Sequence, residues 1–225
     1  IIEGSVRRFA DKIVVKLNIV NAKDKNVGEI QKEFDFEDGY KIQQEISKDI
    51  ANILKDSLSE KEIERIEVNP TISAKAYELA IKGKIIAAGI YKEYDDEDEI
   101  KRGITYFDQA IALDPNYAEA YIEKAYASFF LKYETRKERS VLIRGLLDRA
   151  EETNREFGML YLMKLYVENI EKNKRSPNMD NYLEKAFELD PSDSRIASEV
   201  AQNYTFNKNK KEKAYEVIQL VYKMN

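Results

Sequence analysis

The chain has 225 residues, with 42 acidic side chains against 37 basic ones for a net charge of −5, 43% hydrophobic and 35% charged residues, and neither Cys nor His. Those two absences exclude disulfides, thiol nucleophiles, Ser-His-Asp and Cys-His catalysis, and zinc sites of the Cys/His type. The acidic balance argues against a surface built to hold a phosphate backbone, so nucleic acid is not an expected partner.

No apolar run approaches the length that spans a membrane, and no charged-then-apolar segment reads as a signal peptide. The chain opens Ile-Ile-Glu-Gly, already strand-like, and is expected to be a cytoplasmic fragment of a longer protein.

Residues 1 to about 36 alternate with period two. "IIEGSVRR" (1–8) puts Ile2 and Val6 on one face. "KIVVKLNIV" (12–20) does the same for Ile13, Val15, Leu17 and Ile19, and "EIQKEFDF" (29–36) for Ile30, Phe34 and Phe36. The pattern predicts a three-stranded antiparallel meander with one buried face. After Asp38-Gly39 the period changes: Ile42, Ile46, Ile50, Ile53 and Leu54 fall at helical spacing and predict a helix packed on that face. Ser59 with Glu62 reads as a capping box for a short helix. Asn69-Pro70 breaks the chain, and the domain boundary is expected near residues 66 to 72.

From Ser73 onward the reading is nearly all helix, over 73–92, 97–113, 118–132, 136–153, 156–172, 178–189, 194–206 and 211–224. Short links between successive helices predict antiparallel hairpins. Gly103, Phe107, Ala110 and Pro115 are spaced four, three and five apart, and Met179, Leu183, Ala186 and Pro191 repeat that spacing. The two prolines lie 76 residues apart (191 − 115), two periods of about 34 plus about eight inserted residues. Ala214, Ile218 and Val221 repeat the four-and-three spacing. Each such helix follows a partner helix with a small residue facing in: Gly83, Ala125 or Ala201, with Tyr121 and Tyr204 near the last two. A close hairpin needs a small residue on one helix against a large one on the other. Proline stops one helix and suits the start of the next.

The stretch "YFDQAIALDPNYAEAYIEKAYA" resembles the tetratricopeptide repeat (TPR) family. The resemblance covers 72–225, as three clear hairpins and one weak one; the stretch around 136–172 departs from the pattern, with no Pro between its hairpins and Met163 where a small residue is expected. It implies a TPR-like α-α superhelix that holds a peptide or partner domain on its concave surface. The amino-terminal piece, with "EGSVRR" and "KIVVKLNIVNA" ahead of an amphipathic helix and repeats, is similar to the latter half of a TolB-amino-terminal-like α/β domain over 1–66. That domain precedes TPRs in bacterial signalling proteins, which implies a non-catalytic module whose catalytic or DNA-binding domain lies elsewhere in the parent.

The expected fold is thus mainly α, a helical-hairpin solenoid preceded by a small α+β part. The expected function is a non-enzymatic protein-interaction scaffold or regulatory arm. The alternatives are a ligand-sensing or subunit module of an enzyme such as a nucleotide cyclase, and a cell-envelope structural component.

For the partner-binding surface, the candidates are Tyr126, Phe129 and Phe130, which can anchor a peptide or serve as core between hairpins. Loss of partner binding in Phe129→Ala with unfolding unchanged would mark an anchor. Three polar runs read as ordinary surface. "YDDEDE" (94–99) lacks the spaced ligands and glycine of an EF-hand and suits a helix N-terminus. Arg7-Arg8 point to opposite faces of a strand. "NKNKKEK" (207–213) reads as a solvated turn. No cofactor or metal is expected, and neither is a membrane. A homodimer is expected, through either the sheet edge at residue 1 or the last helix, with Val217, Ile218 and Val221.

Overall fold

The computed structural model describes residues 1–20, 26–35, 39–54, 59–60, 63, 69–89, 97–206 and 210–224. Glu62, Phe36, Tyr94 to Asp96, Asn207 to Asn209 and the side chain of Val221, all named above, lie outside the described residues. Among those described, the chain is mainly helical behind an amino-terminal antiparallel sheet, and it divides into two compact units, Ile1–Glu78 and Leu79–Asn225.

In the first unit, β1 (Ile2–Phe9), β2 (Lys12–Val20) and β3 (Asn26–Asp35) form a sheet of order β1-β2-β3. The period-two alternation sets the register. Val6 pairs with Val15, Leu17 with Ile30 and Ile13 with Phe34, which gathers the apolar side chains on one face. A two-residue link, Ala10-Asp11, turns β1 into β2, with Ala10 at φ 52. Helix α1 (Gly39–Ile53) packs on β3. Ile53 approaches Gly28, and Lys32 ties the two elements through Glu45 at 3.2 Å and Asp49 at 2.7 Å. Val15, Ile19, Ile30, Phe34 and Ala51 form the buried core of this unit. Tyr40 lies 4.9 Å from Tyr77, ring to ring, and donates its hydroxyl hydrogen bond to the Thr71 carbonyl.

The division between units falls within α2 (Ala74–Gly89). The second unit continues through α3 (Glu97–Leu113), α4 (Ala118–Phe129), α5 (Arg136–Glu151), α6 (Gly158–Lys172), α7 (Met179–Leu189), α8 (Ser194–Phe206) and α9 (Lys211–Met224). From α3 onward each helix packs on the next, and in addition α4 packs on α6 and α6 on α8. The first helices of successive hairpins therefore form one layer.

The small-against-large rule is visible at Gly83. A Cβ there would sit 2.7 Å from the Phe107 ring, so the hairpin closes only on glycine. Phe107 and Ala110 are wholly buried, and Gly103 is buried against Ile86. Leu183, Ala186, Tyr121, Ala125, Ala201 and Tyr204 are all buried. Pro115 and Pro191 are exposed in the turns. The aspartates before them organise those turns: the Asp114 carboxylate accepts from the Asn116 backbone N–H at 3.0 Å, and Asp190 from that of Asp193 at 3.1 Å.

Around 136–172, the stretch without a proline, other devices place the helix ends. Thr135 and Glu138 form a capping box at the start of α5. Asn154 and Asn173, at φ 56 and φ 47, follow the ends of α5 and α6, asparagine being tolerant of the left-handed region. Ile143, Leu147 and Ala150 are buried with the same four-and-three spacing as Gly103, Phe107 and Ala110. Met163 is fully buried in the shared core. Among the described side chains of α9, Ala214 and Val217 are buried, whereas Ile218 is exposed. The helix meets α8 through the former two, and Ile218 lies about 100° further round.

Candidate functional site

On α4 and the residue that caps it, Glu119, Glu123, Tyr126 and Phe130 recur at i+4, i+3 and i+4, which places them on one stripe. Tyr166 of α6 and Arg195 and Glu199 of α8 face this stripe, because α4, α6 and α8 share a layer.

Arg195 is the centre of the cluster. Its Nη1 and Nη2 donate to the two carboxylate oxygens of Glu123 at 2.7 and 2.9 Å, a bidentate pair between residues 72 apart. Its Nη2 also donates to Asp193 at 2.6 Å and its Nε to Asp193 at 3.0 Å. Asp193 in turn caps α8, accepting from the Arg195 backbone N–H at 2.9 Å. The guanidinium lies 4.8 Å from the centre of the Tyr126 ring. Lys84 of α2 reaches Glu123 at 3.3 Å. The Glu123 side chain is 6% exposed, that of Arg195 18% and that of Lys84 46%.

Burial alone would raise the Glu123 carboxyl, but the Arg195 hydrogen bonds and charge outweigh it and hold it below the usual carboxylate range. Asp193 behaves in the same way for the same reasons. For Arg195, burial works against the charge while Glu123 and Asp193 more than restore it, so its affinity for the proton is raised. Burial pushes the phenols of Tyr126 and Tyr166 up, and Glu199, which accepts the Tyr166 hydroxyl at 3.0 Å, pushes Tyr166 further. All five shifts move away from neutrality, so these groups keep their charge states around pH 7. Glu119 is different. It is raised, first by burial and then by like charge from Glu123, against Arg155 and Lys84.

Tyr126 is 3% exposed, beneath Arg195 and 5.2 Å from Phe130 in an edge contact. It has almost no surface left to offer a partner. Phe129 and Phe130 are half-buried. Phe129 packs at 4.8 Å against the tilted Tyr166 ring and meets Phe130 edge-on at 5.3 Å, with the Arg139 guanidinium 5.7 Å from its ring. The structure thus brings Tyr126, Phe129 and Phe130 together and adds Tyr166 to them. The charged members of the cluster, Lys84, Glu123, Asp193 and Arg195, were not singled out from the sequence. The signal open to sequence reading was the stripe itself, with two acids at i and i+4 on a helix otherwise rich in alanine and aromatics.

A separate hollow of about 400 Å³ lies between the start of α7 and the end of α8, lined by Arg175, Ser176, Met179, Asn203 and Phe206 among others. Arg175 and Asn203 both turn a nitrogen toward the Met179 sulfur. Among the described residues no group of three or more carboxylates is placed to hold a metal ion, and no helix is long and apolar enough to cross a membrane.

The chain matches no protein-family model and has no significant match among curated proteins or solved structures.

Proposed function

We propose that the second unit is a TPR-like helical repeat and that the chain serves as a protein-interaction scaffold or regulatory arm, holding a peptide or partner domain on the layer formed by α4, α6 and α8. The observation that carries this reading is the layer itself. The first helices of successive hairpins pack on one another, α4 on α6 and α6 on α8, and present half-buried Phe129, Phe130 and Tyr166 beside a charge cluster whose geometry is fixed. Rigid aromatics beside preorganised charges are the usual make-up of a peptide-binding surface. The acids here, Glu119, Glu123, Asp193 and Glu199, are matched by the cations Lys84, Arg139, Arg155 and Arg195. The fitting partner is therefore a segment with an apolar anchor flanked by side chains of both charge signs.

The reading is tested by placing a photo-crosslinking residue at position 84 and, as control, at the exposed Val141 of α5. Adducts with one partner from position 84 and not from 141, and loss of that partner's binding in Phe130→Ala with the unfolding midpoint held within a few degrees, are the expected results. Equal labelling from both positions would overturn it.

A further inference from the structure

We propose that β1 pairs with β1 of a second copy of this chain, antiparallel and centred on Ser5, to form a continuous six-stranded sheet. The register follows from the hydrogen bonds of the existing sheet. Ile1 and Val20 exchange both backbone bonds, each at 2.9 Å. In an antiparallel ladder such doubly bonded pairs alternate with unbonded ones. The odd residues of β1 therefore turn their backbone groups toward β2. The even residues, Ile2, Gly4, Val6 and Arg8, turn theirs toward the edge away from β2, which no strand pairs among the described residues.

A second β1 related by a two-fold axis at Ser5 meets that edge with Ile2 opposite Arg8 and Gly4 opposite Val6. All of these are even residues, so each pair exchanges both bonds. Glu3 then falls opposite Arg7 of the other copy, twice by symmetry, at an unbonded pair where side chains come closest. Neither Glu3 nor Arg7 makes an ion pair or side-chain hydrogen bond within the chain among the described residues, and both are exposed. The strand thus carries a charge pattern complementary to itself about its own midpoint.

Two further observations support the same edge. Ile2 and Val6 are 49% and 69% exposed, although their cross-strand partners Ile19 and Val15 are buried. The apolar face of the sheet therefore continues uncovered onto β1. The opposite edge is built to resist pairing. By the same alternation β3 turns Glu29, Gln31, Glu33 and Asp35 outward, and a two-fold pairing centred on Gln31 would set Glu29 against Glu33. Charge of a single sign on an exposed edge is a common device against strand addition, whereas the charges of β1, Glu3, Arg7 and Arg8, are of both signs.

The test is the mass of the whole chain by light scattering across concentrations up to the millimolar range. The wild type is expected to reach twice the monomer mass. Glu3→Arg and Arg7→Glu each set like charges across the axis and are expected to return it to the monomer, while the double swap restores the dimer. Val6→Pro removes an outward N–H without breaking the β1–β2 ladder and is also expected to give a monomer, with far-UV circular dichroism unchanged. A wild-type monomer throughout, which would also be the result if some other segment covers this edge, overturns the proposal. So does a dimer that survives both single charge reversals, or one that the double swap fails to restore.

Discussion

Removing Arg195 is the sharpest test of what holds the layer of first helices together. Arg195→Ala deletes the bidentate pair with Glu123 and the bonds to Asp193, and leaves a carboxylate only 6% exposed. Breaking a buried pair by removing one partner costs roughly 3–5 kcal/mol, because the other charge stays buried. Two features lower that figure here. Lys84 still reaches Glu123 at 3.3 Å, and Arg195 itself keeps 18% of its surface in water. A loss of about 3 kcal/mol is expected at pH 7. The joint replacement Glu123→Leu with Arg195→Met removes both charges and is expected to lie within about 1 kcal/mol of wild type, or above it. Urea unfolding followed by far-UV circular dichroism measures both. The sign of the pH dependence is set by the lowered Glu123 and Asp193 carboxyls. Their contribution is present above the ordinary carboxylate values of 4.5 and 3.8 and is lost as pH falls through the lower folded values. Arg195→Ala should therefore flatten the acid limb of the stability curve. A cost below about 1 kcal/mol, the range of an exposed ion pair, would refute the reasoning, as would a double variant as damaged as the single.

Glu119 responds in the opposite sense. Burial raises its carboxyl, so the folded state resists its ionisation, and Glu119→Gln should stabilise the chain at pH 7 with the gain vanishing below pH 4.5, where the ordinary carboxyl is protonated in either state. Gly83→Ala places a methyl 2.7 Å from the wholly buried Phe107 ring and should cost about 1–3 kcal/mol by overpacking, read as a fall in the thermal midpoint. Ala10→Gly relieves a left-handed residue worth about 1–2 kcal/mol. Glycine's greater freedom in the unfolded chain takes back roughly 0.5–1 kcal/mol, so a net gain of about 0.5 kcal/mol is expected in the same unfolding assay.

The sheet was legible because its alternation has one period and one buried face: Ile13, Val15, Leu17 and Ile19 cannot be placed together any other way. The helices before Pro115 and Pro191 were legible because Asp-Pro stops a helix locally. The stretch 136–172, the second helix of one hairpin and the first of the next, was harder to register without a proline, yet Thr135-x-x-Glu138 and the triplet Ile143, Leu147 and Ala150 stood in the sequence as its markers. At the ends, 118–132 contracts to Phe129, where the Phe130 and Leu131 N–H groups turn back to the Ala127 and Ser128 carbonyls. The helix expected from 156 begins at Gly158, because Phe157 is extended. The charge cluster was not legible for a different reason. Glu123 and Arg195 are 72 residues apart, and a charged residue on a helix reads by default as a solvated one. Only the stacking of α4, α6 and α8 brings them into contact.

That long-range pair bears on how the stack comes apart. In a solenoid each hairpin touches its neighbours alone, and a terminal hairpin can fray without cost to those further along. Here the N-terminal turn of α8 is bonded to the middle of α4, past the intervening hairpin of α6 and α7. Opening the hairpin of α8 and α9 therefore also strips Glu123 of its main counter-charge, so α8 should open only when α4 does. Native-state hydrogen exchange makes the point measurable. Amides in the middle of α4 and of α8, such as those of Ile122 and Val200, are expected to share one opening free energy in the wild type. In Arg195→Ala the α8 value should drop below the α4 value, by most of the 3 kcal/mol assigned to the pair. If α8 already exchanges well below α4 in the wild type, the stack obeys nearest-neighbour behaviour and the pair does not couple its hairpins.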